Sequence, residues 1–346
     1  MTVLVAGASG FVGCGLLRSL REPVVVVSRR AAQPDRAEAL ARRTGATVEM
    51  ITGDVRQPGW GLDPADVDRL RGDVRAVVNA AAQSSWSAGW HDLMATNVEG
   101  ARHACDVAAR LDVPLLHLSS LYAAYATGRH VPQALVDEAP QLTKYERSKC
   151  RGEHAVTDAA AERAVPTWIA RIGALGGDLD RLRGDRAALP PMARLLDRDG
   201  WGWMPYARGA RLDMAPRDVV TRCLAELLDE PPPDGVVVRN VGQGHAAPLA
   251  GAVLREAARQ GLGDERPLRP VPAPASALLA LSELADRFGR GPRTNLLIGA
   301  RYFASSTVYL SDGLGQDVSL EALARTLVRR PRLEPRALPD FYTRWL

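Results

Sequence analysis

The stretch TVLVAGASGFVG, residues 2 to 13, decides the fold. It opens on a short Val/Leu run, continues through Gly7, Gly10 and Gly13 at a spacing of three, and leads into the helix-patterned GFVGCGLLRSLR. That order predicts a buried strand, a tight turn and the first turn of a helix. Glycines in such a turn let the backbone bend sharply and come close to a pyrophosphate, which rests on the free N–H groups of the helix N-terminus. Glycine also serves in turns that only relieve strain; the strand before and the helix after favour the anion-binding reading. Gly7, Ser9, Gly10, Phe11, Val12 and Gly13 are therefore candidate cofactor contacts. No basic segment precedes the apolar run, so it is read as a strand and not as a signal peptide.

The same kind of apolar segment recurs at VVVVS (24 to 28), ATVEMITGDV (46 to 55), RAVVNAAA (75 to 82), PLLHLSS (114 to 120) and TWIARIG (167 to 173). Short uninterrupted Val- and Leu-rich runs suit strands buried on both faces of a parallel sheet. Helix-patterned stretches lie between them, so the expected fold is α/β, a Rossmann-type doubly wound parallel sheet. After about residue 173 the alternation breaks and Pro and Gly cluster, which predicts a smaller α/β substrate domain over 174–346 with a C-terminal extension. The chain is expected to return to the first domain, 1–173, around 211–241.

Composition narrows the function classes. Of 346 residues, 46% are hydrophobic and 24% charged, as in ordinary globular proteins, and no run approaches the roughly 20 apolar residues of a membrane span. A net charge of +4 spread along the chain gives no nucleic-acid footprint. Four cysteines and six histidines fall without metal-ligand spacing. A reduced, cytoplasmic, metal-free protein, with a homodimer as one possible assembly, is the expectation.

The end of the second strand bears on cofactor choice. Folds that bind NAD place an acid there to hold the ribose 2′-hydroxyl. Here stand Ser28, Arg29 and Arg30. A carboxylate repels a 2′-phosphate and a guanidinium grips it, so Arg29 and Arg30 predict NADP(H).

Two lysines stand against 42 arginines, and both lie in TKYERSKC, residues 143 to 150. Tyr145 and Lys149 share a helix face at i and i+4. With seven tyrosines and two lysines in 346 residues, the chance expectation for Y-x-x-x-K is about 0.04. An ammonium beside a phenol favours the phenolate and is expected to lower its pKa, which makes tyrosine a usable proton donor. Lys144 is read as a surface residue. Ser119 and Ser120 end the fifth strand, where ligands bind in such sheets, and a hydroxyl there can hydrogen-bond a carbonyl oxygen.

Together the glycine turn, GDV (53 to 55), NAAA (79 to 82), Asn97, LSS (118 to 120) and Y-x-x-S-K (145 to 149) resemble the extended short-chain dehydrogenase/reductase superfamily over about residues 2 to 173. Within it, HLSSLYAAY, KYERSKCRGEHAV, IARIGALGGD and ARYFASSTVYLSDGLG look most similar to the branch of thioester reductase domains and fatty acyl-CoA reductases. The resemblance implies Ser120, Tyr145 and Lys149 as catalytic residues, with Asn97 supporting the lysine. It also implies Asp54 and Val55 beside the adenine, and Ala80, Ala81 and Ile172 along the cofactor. The chain departs from that branch at Ser120, where Thr is usual, at Ile172, where Pro is common, and in a partial Gly-Asp signature at 176 to 184.

The implied activity is hydride transfer from NADPH to a carbonyl, an acyl thioester on CoA or an acyl carrier protein, or the derived aldehyde. A small-molecule ketone or aldehyde reductase, a sugar-nucleotide epimerase or dehydratase with bound NAD, and a non-catalytic dinucleotide-binding regulator stay open. In the second half, Trp201, Trp203 and Tyr206 are candidates for an apolar pocket, residues 276 to 289 for an amphipathic helix, and Asp218 for a substrate contact or a helix cap.

Overall fold

The computed structural model describes residues 1–33, 35–125, 130–140, 142–176, 203–260, 269–289, 292–313 and 318–328. Seven strands form one sheet: β1 Thr2–Ala6, β2 Val24–Ser28, β3 Val48–Thr52, β4 Val74–Asn79, β5 Leu115–Ser120, β6 Thr167–Ile172 and β7 Val236–Val241. Their order across the sheet is β7-β6-β5-β4-β1-β2-β3, with every pair parallel. The order reverses between β1 and β4, and a crevice at such a reversal is where ligands bind outside the carboxyl ends of the strands.

β-Branched runs form the sheet because both of its faces are covered. On one face Leu4, Val25, Val77, Leu115 and Ile169 pack against α4 Gly100–Leu111 and α5 Lys144–Arg163. On the other, Val3, Val26, Val78, Leu116 and Trp168 pack against α1 Phe11–Ser19 and α6 Arg217–Asp229. Each fully buried Val or Leu in these layers contributes about 1.5–3 kcal/mol. α2 Arg36–Thr44 and α3 Pro64–Leu70 complete the first half.

The chain returns to the sheet after leaving it. α6 lies on α1 closely enough that a Cβ at Gly15 would meet the Arg217 and Thr221 side chains at 2.9 Å, and β7 adds an edge to β6. Part of the remaining C-terminal chain builds a second apolar cluster, in which Tyr206, Leu212, Val253, Leu254, Leu278 and Phe303 are buried, while Ala285, Ile298 and Tyr302 pack with Trp86 and Tyr145 of the first half. α7 Ala250–Arg259 and α8 Ala275–Phe288 supply its helices. Among the described residues no helix is long and apolar enough to cross a membrane.

Candidate active site

The glycine turn after β1 is shaped by contact with the end of β4. Gly7 has φ +82, and a Cβ there would lie 2.4 Å from the Ala80 carbonyl carbon and the Ala81 nitrogen. A Cβ at Gly13 would lie 2.3 Å from the Gly7 carbonyl oxygen. Gly10 is the N-cap of α1, with no side chain capping it and no acid in the first turn. Ser9 and Gly10 are exposed, while Phe11 and Val12 are half-buried. Uncapped N–H groups at an accessible helix start, with Ala80 and Ala81 forming the adjoining wall, fit a dinucleotide pyrophosphate.

Arg29 and Arg30 follow β2 and are exposed, and the Ser28 hydroxyl accepts a hydrogen bond from the Arg30 N–H at 3.2 Å. Asp54 is held below its ordinary range, first by hydrogen bonds from Arg56 (2.8 Å to Nη2), with a further contribution from the Arg29 charge. Val55 packs on Gly100, and its carbonyl accepts from His103 Nδ1 at 3.1 Å. One arginine was not foreseen: Arg43, near the end of α2, donates to the Ser9 carbonyl at 3.3 Å and contacts the Cys14 thiol. Its spacing from the glycines carries no motif, so only the folded chain brings it there.

Ser120 ends β5 and caps the short helical turn Leu121–Ala124, accepting from Tyr122 N–H at 3.2 Å. Tyr145 and Lys149 lie in the first turns of α5, which starts at a capping box formed by Thr143 and Glu146. The Ser120 hydroxyl lies close enough to the Tyr145 phenol to favour its phenolate. Lys149 Nζ donates to the Leu118 carbonyl at 3.1 Å. The expected lowering of the phenol's pKa is not what the fold gives. Burial pushes Tyr145 up to about 12, against the effect of the Ser120 hydroxyl, and lowers Lys149 to about 8. In a site this dry, desolvation dominates both groups and disfavours each charged form.

Lys144 is anchored in the fold and is not the surface residue expected. Its Nζ donates to the Asp286 carbonyl at 2.7 Å and its N–H faces the Asp286 carboxylate at 3.3 Å. It is half-buried and ties α5 to the last turn of α8, where a cation suits the helix dipole.

Beneath the pair lie charges that sequence did not disclose. Glu153, one turn beyond Lys149, accepts from Ser119 at 2.5 Å and from Arg171 Nη2 at 2.7 Å. Arg171 is 0% exposed and Glu153 1%. His117, on β5, is hydrogen-bonded through Nδ1 to Asn79 at 3.2 Å, and burial with the nearby Lys149 charge lowers it to about 3. Asn97 lies in the widened helical turn Ala95–Glu99. Its side chain exchanges hydrogen bonds with the Gln83 backbone (2.8 and 3.0 Å) and donates to Ser148 at 2.9 Å, beside Lys149 and not onto it. Ile172 ends β6, half-buried at the same sheet edge.

Of the second-half candidates, Tyr206 is buried in the C-terminal core, Trp203 is 57% exposed under Arg269, and Trp201 lies outside the described residues. Most of the partial Gly-Asp signature lies there too. Asp218 is exposed and caps nothing; Pro216 holds the cap position of α6. The buried acid of that segment is Asp213, which accepts from Gln243 N–H (2.8 Å) and Gly244 N–H (3.1 Å) and is raised by burial to about 6.

A glycine cradle at the switch point and a buried Ser-Tyr-Lys cluster at the neighbouring strand end define a dinucleotide-dependent α/β protein of the extended short-chain dehydrogenase/reductase type. The model of the family described as male sterility protein, an NAD-binding family, matches residues 5–224, and the chain belongs to that family. Residues of this chain are 31% identical over 193 positions to an isonitrile lipopeptide synthase of Streptomyces coeruleorubidus, covering 51% of this chain and 13% of the synthase. The chain thus spans only a small part of that relative's length. Among solved structures, the terminal R domain from the myxalamid PKS-NRPS biosynthetic pathway superposes with a TM-score of 0.67 at 20% identity, over 94% of this chain and 89% of that one. UDP-glucose 4-epimerase from Bifidobacterium longum, in complex with NAD+ and UDP, superposes with a TM-score of 0.65 at 16% identity, over 94% and 97%. At these identities the likeness is one of fold.

Proposed function

We propose that the chain is an NADPH-dependent reductase whose substrate is an acyl thioester, presented on CoA or on an acyl carrier protein. The observation that carries this reading is the approach of the Ser120 hydroxyl to the buried Tyr145 phenol at the carboxyl edge of the sheet, with Lys149 one turn further along α5 and held by the Leu118 carbonyl. Gly7, Gly10 and Gly13 would hold the pyrophosphate, Ala80, Ala81 and Ile172 would line the cofactor, and Arg29 with Arg30 would meet a 2′-phosphate. The dihydronicotinamide, when bound, supplies the hydride. Ser120 and Tyr145 hydrogen-bond the carbonyl oxygen, and Tyr145 gives that oxygen its proton as charge develops on it. Lys149, held by the Leu118 carbonyl, offsets the negative charge left on the phenol. Addition to a thioester carbon yields a hemithioacetal; its C–S bond then breaks, releasing a thiol and an aldehyde.

The thioester rests on the similarity to a lipopeptide synthase and to a pathway-terminal R domain. An epimerase shares the fold, but the absence of an acid at Ser28-Arg29-Arg30 favours NADPH over bound NAD. The test follows NADPH consumption against acyl-CoA, carrier-bound acyl, aldehyde and ketone substrates. Tyr145→Phe is expected to cut turnover by about 10²- to 10⁴-fold while NADPH still binds. Full turnover in that variant overturns the role of Tyr145, and tighter binding of NADH than NADPH overturns that of Arg29.

A further inference from the structure

The residue after Tyr145 is a glutamate that is 0% exposed. Its place in a capping box accounts for one contact, the Thr143 N–H at 2.8 Å, and such glutamates ordinarily face water because the first turn of a helix is accessible. Glu146 has two more partners, both from a segment about 155 residues later. Tyr302 donates its hydroxyl to Glu146 Oε1 at 2.8 Å, and Arg301 Nη1 lies 3.4 Å from Oε2. Arg301 is 5% exposed and Tyr302 4%.

Tyr302 also touches the loops that deliver the other site residues. Its ring stacks on Tyr122, two residues past Ser120, with centroids 4.0 Å apart. It packs at 5.1 Å on Trp86, in the loop that continues from Ala80 and Ala81. The approach is fitted closely: a Cβ at Gly299 would lie 2.7 Å from the Trp86 ring. Arg301 in turn lies 4.5 Å over the ring of Tyr125, whose hydroxyl donates to the Arg301 carbonyl at 3.0 Å. A buried carboxylate compensated across the fold, and an aromatic stack bridging three loops, converge beside one phenol.

We propose that Glu146, Arg301 and Tyr302 form a positioning unit, through which the late segment Ala300–Phe303 fixes the place and the acidity of the Tyr145 phenol. This rests on reading Tyr145 as the proton donor. The groups that act on that phenol are Ser120 from β5, Tyr122 from the turn after it, and Glu146 from α5; Lys149, one turn further along α5, is held on the Leu118 carbonyl, and Asp213 acts on Tyr122. Burial pushes the Glu146 carboxyl up, while Arg301, the Thr143 N–H and the Tyr302 hydroxyl hold its ionised form; that negative charge disfavours the phenolate, and Arg301 compensates it. Opposite substitutions therefore have opposite effects, which a merely structural role does not produce.

The test is an ultraviolet titration of tyrosinate in the full chain loaded with NADP+, each variant compared with the same variant carrying Tyr145→Phe, so that only this phenol is read. Glu146→Gln is expected to move its transition down by about 1 pH unit or more. Arg301→Met, which leaves the carboxylate uncompensated, is expected to move it up, and the double variant to return it towards the wild type. Tyr302→Phe keeps the stack, removes one donor to Glu146, and is expected to give a smaller upward shift; it serves if Arg301→Met does not fold, with NADP+ binding as the folding check. Shifts in one direction for both single variants, or none, overturn the proposal. Because no substrate is present, a failed reductase assay and a failed titration are separate results.

Discussion

The cofactor cradle and the proton-handling cluster meet at one edge of the sheet but are made by opposite means. The cradle consists of missing atoms: Gly7 and Gly13 are required because any Cβ would strike backbone at 2.4 and 2.3 Å. The cluster consists of charges kept from water, with Lys149, Glu146, Glu153 and Arg171 all at most 3% exposed. A cradle of glycine is defined by local geometry and costs mainly the backbone freedom its residues lose on folding. A buried cluster is defined only when distant partners arrive, and each ionised group without its partner is expensive.

Breaking the cluster should therefore have the larger effect on stability. Arg171→Met leaves Glu153 in the core with Ser119 and the nearby Lys149 but without its bidentate partner. A loss of about 3–5 kcal/mol is expected in urea denaturation. Replacing Glu153 by Leu in the same chain should recover part of it, since the carboxylate is no longer left unpaired, although Lys149 loses a nearby opposite charge and Ser119 its acceptor. If the single variant costs under about 1 kcal/mol, the pair is not the buried constraint described.

Lys149 sharpens the same contrast through pH. Its folded pKa, about 8, lies below the ordinary 10.5 because burial disfavours the ammonium. Between these values the unfolded chain binds a proton at Lys149 that the folded chain does not, so stability rises with pH across about 8 to 10.5. The shift corresponds to roughly 3 kcal/mol. Lys149→Met should remove this rise, being more stable than the wild type near neutrality and losing that advantage as pH climbs. Parallel stability curves for the two proteins would show that the ammonium is not desolvated in the fold.

This division also explains what the sequence discloses. The six strands up to residue 172 are legible because runs such as Val24 to Val27 have no other stable place than a doubly covered sheet. Gly7 is legible because spacing along one turn marks it, Tyr145 and Lys149 because spacing along one helix relates them, and Ser120 because it stands at the end of a strand run. Glu146 with Arg301 and Tyr302 is not, since nothing local in ARYF marks residues that will meet the start of α5. The same holds for Lys144, whose partner Asp286 lies 142 residues away, and for the phenol's acidity, which depends on how completely neighbours exclude water and not on which residue stands at i+4.

The smallest expected effect on stability lies in the cradle. Gly13→Ala places a Cβ 2.3 Å from the Gly7 carbonyl oxygen and 2.7 Å from the Ala8 Cα, so the backbone of the turn must move by about 1 Å to restore ordinary contact distances. Overpacking of this kind costs about 1–3 kcal/mol, and alanine recovers part of that through its better helix propensity, up to about 1 kcal/mol. The net change in denaturation midpoint should be modest, while dinucleotide affinity falls by at least about tenfold, because the N–H groups of the turn and of the α1 start lose their common aim. Titrating NADPH fluorescence against the variant measures this directly. If affinity holds while stability falls as far as in Arg171→Met, the glycines serve the packing of β1 on β4, and the anion is held elsewhere, with Arg43 beside Ser9 the first group to replace.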